Sequence, residues 1–163
     1  MKLVVLSEIF DIWYGVNLEL QNCDEAFGDE KGIPFVSRTL QNNGISAYVF
    51  ENNDYDKNPA NTLSVACGGS VLTTFFHPYE YYSGRDIVIL KPRASLTINQ
   101  MLYYCTAIEL NKYRYNYGRQ ANKTLKNIRV PSLDSIPNFI MKNRYQAFSE
   151  KLFNIMESLK THV

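Results

Sequence analysis

Short apolar runs alternate with polar turns along most of the chain, and two stretches replace that rhythm with helical spacing. KLVVLSEIFDIWY (residues 2–14) fits a short strand or a helical turn equally well. GVNLELQNCDEAFGDEKG (15–32) is polar and turn-rich, which predicts a loop with a short element at 17–20. IPFVSRT (33–39) predicts a strand with Pro34 near its start, where proline is tolerated. QNNG (41–44) predicts a turn, because Asn-Gly takes up positive φ at low cost, and ISAYVF (45–50) alternates as the returning strand. NNDYDKNPAN (52–61) reads as a loop.

The next segment, TLSVACGGSVLTTFF (62–76), predicts two strands around a turn or bulge at Gly68 and Gly69. YYSGRDIVILKP (81–92) ends in a buried strand from Ile87 to Leu90, stopped by Pro92. SLTINQMLYYCTAIELNKY (95–113) is the clearest helix: Leu96 or Thr97 offers a cap region before Asn99, and Met101, Leu102, Cys105, Ile108 and Glu109 follow helical spacing. Tyr103 and Tyr104 on it face the core or a partner. TLKNIRVPSL (124–133) predicts a short strand or turn. From Pro137 an amphipathic helix carries Phe148, Leu152, Ile155 and Leu159 on one seam. The pattern is α+β: a run of short strands, one mid-chain helix and a C-terminal helix, in a chain of 163 residues that suits a single compact domain. Residues 1–136 form the main body and 137–163 the helix of the same unit.

Composition narrows the partners. Twelve Tyr and nine Phe against one Trp suit either a β-rich core or a binding surface where a ring packs and its hydroxyl stays wet. The net charge of +1 is uninformative, but its distribution is not. Glu8, Asp11, Glu19, Asp24, Glu25, Asp29 and Glu30 face Lys2 alone in the first thirty positions. Lys112, Arg114, Arg119, Lys123, Lys126 and Arg129 follow one another with no acid between them. A local basic stretch on a near-neutral chain is the footprint of a modest nucleic-acid module. Cys23, Cys67 and Cys105 are odd in number and form no C-x-x-C, and neither His77 nor His162 is spaced with them as zinc requires. Buried free thiols in a reducing cytosol are expected. MKLVVLSEIF is too short an apolar run for a signal peptide, and no stretch reaches the ~20 apolar residues of a membrane helix. The expected location is cytoplasmic.

Enzyme motifs are missing. There is no P-loop, no G-x-G-x-x-G and no Pro-Pro pair of the kind an amino methyltransferase carries. His77, before Pro78, reads as a loop residue outside any nucleophile elbow. GRDIVILK holds Asp86 and Lys91 but lacks the E-x-K element of a metal nuclease. No catalytic residue, metal or cofactor is assigned. Binding chemistry is better supplied. Arg forks match guanine O6 and N7, Gln and Asn match adenine N6 and N7, and Lys, Ser and Thr suit phosphates. YGRQANKT (117–124) concentrates such groups, and SRTLQNNG (37–44) repeats the pattern with Ser37, Arg38, Thr39, Gln41, Asn42 and Asn43. By composition alone a solvated loop and a hairpin turn explain these stretches as well.

Five motifs in order add a resemblance: GIPFVSRT (32–39), NNGISAYV (42–49), ACGGSVLTTFF (66–76), YYSGRDIVIL (81–90) and YRYNYGRQANKTLKNIRVP (113–131). With YGVNLEL (14–20), they resemble the target recognition domain of type I restriction–modification specificity subunits and related fused type II systems, over about residues 8 to 145. The resemblance implies a twisted, partly barrel-like sheet and a non-catalytic domain that reads half of a split double-stranded DNA target. It implies as partner a modification subunit that flips and methylates adenine, and in some systems a restriction subunit. It points to Ser37, Arg38, Thr39, Asn42 and Asn43, to Arg85, and to Tyr115 through Lys123 with Thr124 and Lys126 as DNA-facing. There Arg119 and Gln120 would read bases, Lys123, Thr124 and Lys126 would hold phosphate, and Tyr115 and Tyr117 would stack on sugar or help widen the groove, with Asn122 a further contact. An ion pair between Arg85 and Asp86 would withdraw Arg85 from DNA.

A full specificity subunit has two such domains and two long helices, whereas this sequence shows one domain and one helix of about 24 residues, ~36 Å long. Two copies joined through Phe148, Leu152, Ile155 and Leu159 would read a symmetric target. A domain of a longer chain, or a stand-alone competitor of a specificity subunit, fits equally. The alternative function is an assembly module that binds a methyltransferase subunit without reading DNA.

Overall fold

A computed structural model describes residues 1–28, 31–115 and 120–141. The first apolar run resolves its ambiguity by being both things in turn. β1 (Leu3–Val5) is followed by a single helical turn, α1 (Leu6–Ile9), and then by β2 (Phe10–Tyr14). Leu6, Ile9 and Phe10 are all buried, so the turn keeps the apolar side inward while the chain changes direction. Further strands are β3 (Ile33–Val36), β4 (Ile45–Val49), β5 (Thr62–Ala66), β6 (Thr74–His77), β7 (Tyr82–Ser83) and β8 (Ile87–Pro92). Helix α2 (Ile98–Glu109), β9 (Arg129–Pro131) and α3 (Asn138–Met141) complete the described elements.

The strands form three separate sheets. The main one is antiparallel in the order β2-β8-β5-β6; a second has the order β4-β3-β7, with β3 and β7 parallel; β1 and β9 make a third. The α+β class holds, but no closed barrel forms among the described residues, and the expected partly barrel-like sheet is replaced by this division. β5 is buried along its whole length, as are the first four residues of β8; β8 is accordingly apolar throughout that run, while the buried hydroxyls of Thr62 and Ser64 in β5 are hydrogen-bonded to Tyr81 and His77.

Helix α2 packs on β6 and β9. It begins where Thr97 accepts from the Gln100 backbone N–H and the Gln100 side chain accepts from the Thr97 N–H, so two otherwise orphaned donors are satisfied. Met101, Tyr104, Cys105 and Ile108 turn inward. The Tyr104 ring meets Phe10 edge-on at 5.3 Å, and its hydroxyl donates to the Pro131 carbonyl at 3.0 Å. Tyr104 therefore fills the core, while Tyr103 is half-buried beside it. Gln100 reaches the Met141 sulfur on α3 at 3.1 Å. The helix expected from Pro137 is seen to start, but Phe148, Leu152, Ile155 and Leu159 lie outside the described residues.

His77 corrects the sequence reading. It ends β6 rather than sitting in a loop, is fully buried, and pairs in register with Thr62. Its Nε2 lies 2.8 Å from Ser64 Oγ, within reach of a nucleophile–base pair. Both residues are sealed in the interior, where no substrate arrives. Burial holds the imidazole pKa down at about 4.

Candidate nucleic-acid interface

Strand register brings most of the sequence-predicted residues to one end of the two larger sheets. In the main sheet Tyr14 faces Val88 and Ala66 faces Ile87, so the segments after β2, after β5 and before β8 leave from the same edge. In the second sheet Val36 faces Ile45 and Ser83, which places residues 37–44 and 84–86 there as well. A backbone bond from Ala121 N–H to the Cys67 carbonyl, 3.0 Å, pins the 120–124 loop onto the diglycine turn. Loops far apart in sequence thus meet on one rim.

The 37–44 loop is built by its asparagines. Asn42, Asn43 and Gly44 all take positive φ, at 48°, 53° and 79°. The Ser37 N–H closes the loop onto the Gly44 carbonyl at 2.8 Å. Asn42 Nδ2 donates to the Ile45 carbonyl and Asn43 Nδ2 to the Phe76 carbonyl. Their amide donors therefore hold the loop. Thr39 Oγ1 accepts from the Gln41 N–H at 3.2 Å. Arg38 is exposed and reaches across to Asp86, Nη1 to Oδ2, 2.9 Å. The acid thought to neutralise Arg85 instead pairs with Arg38; Arg85 is exposed and enters none of the ion pairs among the described residues.

In the basic stretch, Gln120, Asn122, Lys123 and Lys126 are exposed. Asn122 Nδ2 donates to Gln120 Oε1 at 3.0 Å, and Asn122 Oδ1 accepts from the Lys123 N–H at 3.1 Å, so one side chain stiffens the loop. The Thr124 hydroxyl is hydrogen-bonded to that of Tyr115 at 2.7 Å, and the Tyr115 ring packs against the main core. Arg114, Tyr115, Gln120, Thr124, Asn127 and Ile128 surround a cavity of about 500 Å³. Tyr117 and Arg119 lie outside the described residues.

Two residues on this rim have positions that the sequence did not assign to them. Tyr14 is half-exposed at the end of β2, with Asn122 beside its hydroxyl, and Asp86 supports Arg38. YGVNLEL signalled the first; nothing local signalled the second, because its partner is 48 residues away. Three described acids of the early chain lie elsewhere. Glu25 bridges to Val49, and Asp24 accepts from the Phe50 N–H, both at the opposite end of the second sheet. Asp11 is paired with Arg93 at 2.7 Å near the far end of β2. Cys67 and Cys105 are buried free thiols whose pKa burial pushes up to about 12. No helix of the described residues is long and apolar enough to cross a membrane.

The comparisons with known proteins agree with this architecture. Residues 1–137 match the type I restriction modification DNA specificity domain. The chain is 30% identical over 146 residues to the specificity subunit S.BcgI of the type II restriction enzyme BgcI from Heyndrickxia coagulans, covering 86% of this chain and 40% of that subunit. Among solved structures it resembles the type I restriction-modification S subunit from M. genitalium, with a TM-score of 0.60 and 19% identity over 82% of this chain and 34% of the other. It also resembles the HsdS subunit from Thermoanaerobacter tengcongensis, with a TM-score of 0.54 and 19% identity over 99% of this chain and 39% of the other. The chain thus spans well under half the length of each of these relatives. A match over most of its residues places it: the chain belongs to the family of type I restriction modification DNA specificity domains.

Proposed function

We propose that this chain is a non-catalytic target recognition domain that reads one half of a double-stranded DNA target and gives that specificity to a restriction–modification methyltransferase/endonuclease complex. The observation that carries the reading is the meeting of the 37–44, 67–70, 84–86 and 120–124 loops on one rim. That rim presents Arg38 with its partner Asp86, Arg85, Gln120, Asn122 and Lys123, with Lys126 exposed just beyond the loop, while Asp11, Asp24 and Glu25 are turned away from it. With Asp86 already paired to Arg38, the remaining bases of the rim leave it positive, and such a patch attracts a polyanion even when net charge is near zero. Gln120 and Arg119 supply base-reading groups, and Lys123, Lys126 and Arg85 supply phosphate contacts. S.BcgI is a specificity subunit of a restriction enzyme, and the same role for this chain implies an adenine-methyltransferase subunit as partner. Selection from a randomised duplex library at low salt tests the reading. Enrichment of one short motif is expected, and a two-fold symmetric motif would add a dimer. Retention with no motif, or no retention, would refute DNA reading by the chain alone.

One observation favours the assembly-module reading: Ile98, Leu102 and Leu110 form an exposed apolar ridge on and just beyond α2. Capture of a methyltransferase subunit without DNA, lost on Leu102→Asp, would support it.

A further inference from the structure

The Arg38–Asp86 pair is built more carefully than a surface ion pair needs to be. Three separate segments converge on it. The backbone of residue 37 is fixed by the Ser37 N–H to the Gly44 carbonyl, so Arg38 starts from a defined point. Asp86 sits at φ 59°, in the left-handed region, and its carbonyl accepts from the Cys67 N–H at 2.8 Å. Between them lies the diglycine. A Cβ at position 68 would stand 3.2 Å from Arg38 Nη1 and 3.3 Å from Asp86 Oδ2. A Cβ on Gly69 would stand 3.9 Å from the Arg38 stem. The two glycines are the bed on which the guanidinium lies.

The pair is half-exposed: the side chains retain 40% and 28% of their surface. Among the described residues Arg38 donates only to Asp86, through Nη1. A guanidinium has five N–H groups, so most of its donors remain for a ligand. A carboxylate 2.9 Å away cancels most of the field Arg38 could offer a phosphate. It does not weaken the use of Arg38 on a neutral base edge, where oriented donors decide. Exposed Arg85, adjacent to Asp86, has the opposite profile and suits a phosphate.

We propose that Asp86 is a positioning residue that holds the Arg38 guanidinium across Gly68 and Gly69 to read a guanine of the target, with Arg85 taking the neighbouring phosphate. The inference rests on the DNA-reading function proposed above. Forked contact of Arg with guanine O6 and N7 is worth roughly a five- to hundredfold preference for that base.

The test is library selection on the full chain carrying no substitution, Arg38→Ala, Arg38→Lys, Asp86→Asn, or Arg38→Ala with Asp86→Asn. Thermal melting confirms that each variant is folded; Asn tolerates the left-handed backbone at position 86. The parent chain is expected to enrich a motif with guanine at one position. Arg38→Ala, Arg38→Lys and Asp86→Asn should all relax that position by roughly five- to hundredfold and leave the others intact. Asp86→Asn should hold random duplex as well as the parent or better, because it removes a negative charge from the rim. In the Arg38→Ala background it should change nothing further. Asp86→Asn leaving the guanine preference intact, or altering a base preference in the absence of Arg38, would overturn the positioning role. No motif with the parent chain would overturn the recognition function and this inference with it.

Discussion

Acid should destabilise this protein through one histidine. His77 is fully buried, with Ser64 Oγ 2.8 Å from Nε2 and the Tyr81 ring 4.3 Å away between centroids. Its Nδ1 has no hydrogen-bond partner among the described residues. A proton there would be stranded in the interior, so burial lowers the pKa from the ordinary 6.5 to about 4. The unfolded chain then takes up the proton first as pH falls. The contribution of a neutral buried His77 is complete above pH 6.5, shrinks as pH drops, and is lost as pH falls through about 4, below which both states are protonated. At ~1.36 kcal/mol per pH unit the loss is about 2 kcal/mol at pH 5 and about 3 kcal/mol by pH 4. Urea unfolding from pH 7.5 to 4.5 should show this slope in the parent chain. In His77→Gln, which cannot titrate, the slope should be shallower by that amount, whatever the variant costs at neutral pH. Imidazole proton shifts followed by NMR give a second readout on the parent alone. Parallel pH profiles for parent and variant, or a His77 titration near 6.5 in the folded state, would refute the reasoning.

Tyr104→Phe removes the donor to the Pro131 carbonyl while keeping the ring, and should cost about 1 kcal/mol in urea unfolding without changing the dependence on denaturant. Gly44→Ala places a Cβ 2.8 Å from Phe75 Cδ2 at φ 79° and should cost about 1–3 kcal/mol by thermal unfolding. Lys123→Ala and Lys126→Ala should each lower the log–log salt slope of DNA binding by about 1, with little change in the selected motif.

Local chemistry was legible and long-range pairing was not. The Asn-Gly turn, the strands on either side of it and the cap near Thr97 follow from residue preferences that act within a few positions, and the structure shows all three. The apolar run at residues 3–14 stayed ambiguous because four-residue pieces satisfy either period, and the chain uses both. His77 was misplaced because the following proline suggested a loop. Proline disfavours only helical backbone in the residue before it, and a strand end satisfies that as well. Arg38 was visible as a basic loop residue, but its partner was not. β3 and β7 pair in parallel, and such pairing leaves no periodic mark that would join position 38 to position 86. Asn42 and Asn43 look like base readers by composition, yet their amide donors close the loop that carries Arg38.

The smallest sheet has a bearing on how such a domain can be transplanted. Leu3 lies opposite Pro131 and Val5 opposite Arg129, and the Ser132 N–H bonds the Lys2 carbonyl at 2.9 Å. Chain enters and leaves the recognition body through one stitched doorway. The spacing and direction of the two flanking segments are set by these bonds together with two groups of the mid-chain helix region, the Tyr104 hydroxyl on the Pro131 carbonyl and Asn111 Nδ2 on the Arg129 carbonyl. An exchange confined to the rim loops, with the doorway and those helix residues left in place, therefore keeps the two flanking segments in register.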